Sequence, residues 1–137
     1  MIRQQAGFGL IEVLITALIL ATGLLGLASL QAESLRANHS ASLRSQASYF
    51  SYDIIDRMRA NRQQALNGQY DIALGVVPTG GSVAEVDLLE WKMALAATLP
   101  LGDGAVERSG SQVTVTIQWD DSRGRESLQQ FDLDMQL

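Results

Sequence analysis

A run of apolar residues from Phe8 to Leu30, broken by one acid, Glu12, constrains this chain more than anything else in it. At about 23 residues and 1.5 Å per residue it reaches about 34 Å as a helix, enough to cross a bilayer core of about 30 Å. An acid at the centre of a membrane helix costs roughly 2.5 to 3.5 kcal/mol, and intramembrane acids usually face a partner rather than lipid. Glu12 therefore predicts a basic group to meet it. The nearest fixed one is an α-amine at Phe8, created if the Gly7-Phe8 bond were cut and residues 1–7 removed. That amine would lie within about one helical turn of Glu12.

The residues that carry this reading stand together: Arg3 in a short leader, Gly7 before the cut, then Phe8-Gly9-Leu10-Ile11-Glu12-Val13-Leu14 and a membrane-length run. This pattern resembles the precursor of a type IV pilin or pseudopilin, although Gly9 stands where that family commonly has Thr. The resemblance implies that a prepilin peptidase cuts between Gly7 and Phe8 and N-methylates Phe8. It also implies that Glu12 contacts a terminal amine during assembly. The implied fold class is α+β, a pilin-like lollipop: a long N-terminal α-helix, half transmembrane and half amphipathic, packed on a small C-terminal antiparallel sheet.

Two plainer readings stand beside it. One is a secretory signal peptide with Arg3 as its basic region and Gly26-Leu27-Ala28 as a cleavage site, against which count the length of the run and its acid. The other is a single-pass anchor with Arg3 holding the N-terminus in the cytoplasm. Neither gives Glu12 a purpose.

The chain has 137 residues, enough for one small domain beyond the anchor. Its formal net charge is −5, and loss of Arg3 with the leader makes the mature form one unit more negative. Nucleic acid is thus not an expected partner, since the arginines at 57, 59 and 62 alternate with Asp53 and Asp56. There is no cysteine, so neither a disulfide nor a thiolate metal site is available. Many major pilins close a C-terminal loop with a disulfide, so this departure leans the resemblance towards a minor pilin or pseudopilin.

Beyond Leu30 no proline or glycine appears until Gly68, which predicts one helix running on to about residue 66. Leu43, Ala47, Phe50, Ile54 and Met58 recur at spacings of three and four and form its apolar face. Asp53 with Arg57 and Asp56 with Arg59 have helical pair spacing on the other side. They read either as a solvated face or as an interface with another pilin. The second reading comes from the stretch Asp53 to Asn61, which is similar to one in the PilV type of minor pilin, as is Trp119-Asp120-Asp121.

Asn67-Gly68 signals a turn, and residues 69–77 suit an extended segment within a variable region 67–104. Ser82 with Glu85 reads as a capping box for a second helix, with Val86, Leu89 and Met93 on one face, Leu88, Leu95 and Leu99 widening it, and Pro100 ending it. Val113, Val115, Ile117 and Trp119 alternate with polar residues, as do Phe131, Leu133, Met135 and Leu137. With Ala105 to Arg108 they predict a three-stranded meander over 105–137.

No nucleophile constellation, phosphate loop or zinc motif is present, and the sole histidine, His39, lies on a polar helical stretch. Asp103, Asp120, Asp121 and Glu126 sit near predicted turns without EF-hand spacing, and solvated turns account for them better than calcium does. Trp91 and Trp119 read as core residues. The expectation is a non-enzymatic subunit with no cofactor and no metal. Its segments would be a leader at 1–7, an assembly helix at 8–30 and a periplasmic domain at 31–137. The resemblance implies partnership with the prepilin peptidase, the inner membrane, the pilus assembly platform and other minor and major pilins, with pilus initiation or tip assembly as the leading role. A minor pseudopilin of a type II secretion system and a DNA-uptake or adhesive pilin are the alternatives.

Overall fold

The computed structural model describes residues 9–137, and Gly7 and Phe8 lie outside them. The chain forms two compact units, one ending at His39 and one spanning Ser40–Leu137. Helix α1, Leu10–Ala60, contributes to both.

Among the described residues of the first unit, no side chain of the apolar run is buried. Leu10, Leu18, Leu25 and Leu30 are each at least two-thirds exposed, and the helix is long and apolar enough to cross a membrane. Thr16 and Thr22 return their hydroxyls to the carbonyls of Glu12 and Leu18 at 2.7 and 2.9 Å, so neither hydroxyl is left unpaired on this apolar surface.

The second unit holds the core. Leu43, Ala47, Ile54, Ile55 and Met58 of α1 are buried there, with Phe50 partly so. The helix expected to continue to about 66 stops at Ala60, because Asn61 leaves helical geometry (φ −114°, ψ 46°). A separate short helix α2, Arg62–Leu66, follows and buries Ala65. Gly68 (φ +77°) reverses the chain after it. The segment expected to be extended makes one bridge, Ile72 with Val106, and is otherwise a loop.

Helix α3, Val83–Thr98, opens with the predicted capping box: the Ser82 hydroxyl accepts from the Glu85 N–H at 3.2 Å, and the Glu85 carboxylate accepts from the Ser82 N–H at 3.0 Å. Its buried face holds Leu88, Leu95 and Leu99 of the expected stripe and Trp91, but not Val86 or Met93. Ala84, Leu88, Trp91 and Leu95 point inwards, while Val86 and Met93 are 45% and 64% exposed. The stripe is rotated so that the large indole of Trp91 is buried at its centre.

Strands β1, Asp103–Ser109, β2, Gln112–Trp119, and β3, Gln129–Gln136, form an antiparallel meander in the order β1-β2-β3. Val113, Val115, Ile117 and Trp119 line its buried face, as their alternation requires. Phe131, Leu133 and Met135 pack against the same core from the outermost strand. The fold of this unit is thus α+β, with a helix packed on a three-stranded antiparallel sheet.

Candidate functional site

Glu12 sits in the first turn of α1, its N–H donating to the Gly9 carbonyl at 3.0 Å. Unpaired N–H groups at a helix start carry partial positive charge, so this is where a carboxylate is best tolerated before a partner arrives. The side chain is exposed and borders a shallow groove formed with Val13, Thr16, Ala17 and Leu20. One acid beside small residues on an otherwise aliphatic helix is suited to receiving a cation from a neighbouring chain.

The four charged residues at 53–59 divide into two pairs. Arg57 is the centre of a network within the second unit: Nε donates to Asp53 at 3.2 Å, and Nη1 donates to Asp87 at 3.3 Å and to Glu90 at 2.9 Å. The Glu90 bond, against the opposing effect of burial and with help from Asp53 and Asp87, holds the guanidinium above its usual pKa. Asp87 also accepts from the buried Tyr70 hydroxyl at 2.5 Å, and Asn61 donates to that hydroxyl at 3.3 Å. Burial and the Asp87 bond push the Tyr70 phenol up to about 12. Asp53 and Arg57 therefore tie α1 to α3. Asp56 and Arg59 pair with each other at 3.0 Å, remain exposed, and lie beside Met135 of β3.

A polar site that sequence reasoning missed is centred on Lys92 of α3. Lys92 is 9% exposed and donates to the carbonyls of Ala73 and Val76 at 3.0 and 2.6 Å and to Asp103 at 3.0 Å. Asp103 in turn accepts from the Gly75 N–H at 2.6 Å. Burial opposes the Asp103 charge, but Gly75, Lys92 and Gly104 outweigh it and hold the carboxyl below its usual range. The pair pins the 73–76 loop to the start of β1.

Of the acids considered for calcium, Asp103 is paired with Lys92 and Asp120 is held by its own loop. Asp120 accepts from the N–H groups of Ser122 and Gly124 at 2.8 and 2.6 Å and from the Ser122 hydroxyl at 3.0 Å, which holds its carboxyl low. It organises the loop between β2 and β3. Among the described residues no group of three or more His, Asp or Glu side chains is placed to hold a metal. His39 is exposed, and Trp91 and Trp119 are buried in the core.

Residues 2–28 match the family model of the prokaryotic N-terminal methylation motif. The match spans Gly7, Phe8 and Glu12 and ends within the first unit. The chain is therefore type IV pilin-like at its N-terminus, a property shared by subunits of pili and of pseudopili. That motif marks structural subunits rather than catalysts, and it implies processing by a prepilin peptidase, membrane anchoring and assembly with other pilins. No significant match was found among curated proteins or among solved structures.

Proposed function

We propose that this chain is a minor pilin that takes part in initiation or tip assembly of a type IV pilus, after cleavage between Gly7 and Phe8 and N-methylation of Phe8. The observation that carries the reading is the methylation motif at residues 2–28, joined to an apolar helix whose first turn holds an exposed acid.

The physics of recruitment follows from Glu12. In lipid the domain is tethered and the carboxylate has no fixed partner. When the subunit docks, the terminal amine of a neighbour neutralises it, and leucines from Leu10 to Leu30 exchange lipid contacts for neighbouring helices. The pair adds little net stability, because desolvation offsets much of the attraction, but leaving Glu12 alone in an apolar bundle is costly. It sets register and recruitment. The soluble unit then presents Asp56 and Arg59 as the exposed part of the charged helix that resembles PilV-type subunits.

Mass spectrometry of the N-terminus from membranes and from sheared surface material tests this. A start at methylated Phe8 in the sheared fraction supports it; an intact Met1, or a start after Ala28, returns the chain to an anchor or a signal peptide. The same motif fits a minor pseudopilin, whose deletion would block exoprotein release while leaving pili normal.

A further inference from the structure

β3 is an edge strand, and the phase of its hydrogen bonds can be fixed. In an antiparallel sheet both backbone polar groups of a residue point to the same side. Leu137 donates its N–H to the Ser111 carbonyl at 2.9 Å, just beyond the β2–β3 ladder. Counting back by twos, Met135, Leu133, Phe131 and Gln129 face Val113, Val115, Ile117 and Trp119 through their hydrogen bonds. The other side of the sheet gives the same phase: Val106 bonds outward to Ile72, so its partner Val115 must bond towards β3.

Gln130, Asp132, Asp134 and Gln136 therefore turn their N–H and C=O groups away from the sheet. Among the described residues no backbone group answers them. The opposite edge is treated differently, with Ile72 covering Val106 on β1. Nor does β3 carry a proline or lysine between Gln129 and Leu137, and its only charged residues are Asp132 and Asp134. Phe131, Leu133 and Met135 are only half-buried, leaving apolar surface for a further strand to extend.

We propose that the free edge of β3 docks an extended strand of a different polypeptide, with Lys, Arg or Thr on its solvent face and aliphatic residues on its core-facing side. Charge selects this occupant. Asp132 and Asp134 are exposed on the solvent face, where Thr116 and Thr114 of β2 already donate to them at 2.8 and 2.6 Å. A second copy is disfavoured: the antiparallel self-pairing that satisfies every outward group sets Asp132 against Asp134 of the other copy, with like charges directly opposed. A basic strand meets the same edge with attraction. The inference deepens the subunit role by naming the surface a partner grips, and rests on that reading only for the presence of such a partner.

The test uses the full chain in its own membranes, with a photoreactive amino acid at Gln130 or Gln136. Asp134→Pro removes an outward N–H and leaves the β2 ladder whole, so it should cut the adduct with a second protein at least tenfold without altering protease resistance. Asp132→Lys with Asp134→Lys keeps every backbone group and should cause a similar loss, which covers the case in which the proline variant does not fold. The adduct should map to an alternating basic and aliphatic segment. An unchanged adduct in the folded variants, an adduct to a second copy, or none from the wild type overturns the proposal. An N-terminal mass taken from the same sample separates the two claims: adduct with intact Met1 sinks only the pilin reading, and a Phe8 start without adduct sinks only the docking edge.

Discussion

Gly104 has no room for a methyl group, because a Cβ built there would overlap the Trp91 ring and crowd Leu95. Gly102 is in the same position against the backbone of Leu95, so two glycines let β1 run hard against α3. We expect Gly104→Ala to destabilise the protein by about 2 to 3 kcal/mol, within or near the usual cost of overpacking a core, seen as a lower denaturation midpoint with unchanged helix content. Leu101 makes the opposite case: it holds φ +52° while 73% exposed, so Leu101→Gly should stabilise the protein by up to about 1 kcal/mol, seen as a higher midpoint. Lys92→Met would leave Asp103 without its cation and release two carbonyls; a loss of about 2 kcal/mol is expected, below the full cost of a buried pair because Asp103 keeps part of its exposure. None of these roles was legible in the sequence. Asp103 was expected only near a turn, and no spacing in the sequence marks Lys92, because their partners lie across folds in the chain rather than at helical spacing.

At the level of elements, periodicity was a good guide wherever only one face of an element was apolar. β2 is such a case, and its four alternating residues are buried as expected. On α3 the expected stripe was centred too far round the helix, on Val86 and Met93, whereas Trp91, expected in the core, is buried against the glycines of β1 with its indole donating to the Phe50 carbonyl at 2.9 Å. The charged helix face was ambiguous: Asp53 and Arg57 have the spacing of an exposed pair, yet Asp87, Glu90 and Tyr70 draw them into a clamp between α1 and α3. That clamp should be visible in alkali. The Tyr70 phenol sits at about 12 in the folded protein against about 10 unfolded, so the folded state holds its proton more tightly. Its stabilisation is complete below pH of about 10 and is lost as the pH rises towards 12. Thermal unfolding followed from pH 8 to 11.5 should show this decline, and Tyr70→Phe should flatten it; an equal decline in both would place its origin elsewhere.

For the whole molecule, the two ends of the chain are specified by different solvents. The motif, the acid and the apolar run of the first unit were legible from sequence because a bilayer imposes one simple rule, a long stretch with few charges. The second unit obeys the rule of burial in water, and its meander and capping box were equally readable, whereas its loop 73–76 was not. The division has a measurable consequence. Among the described residues every buried hydrophobic side chain, from Leu43 to Trp119, lies within Ser40–Leu137, and those of residues 10–30 are all exposed. A fragment comprising residues 40–137 should therefore fold without the first 39, with a cooperative thermal transition and the near-ultraviolet signal of buried Trp91 and Trp119. It should also remain in solution after high-speed centrifugation in the absence of detergent, where the full chain sediments with lipid. A fragment with helical signal but no cooperative transition would mean that the apolar helix, or the membrane around it, contributes to the stability of the domain, and the anchor would then be part of the fold as well as of the assembly.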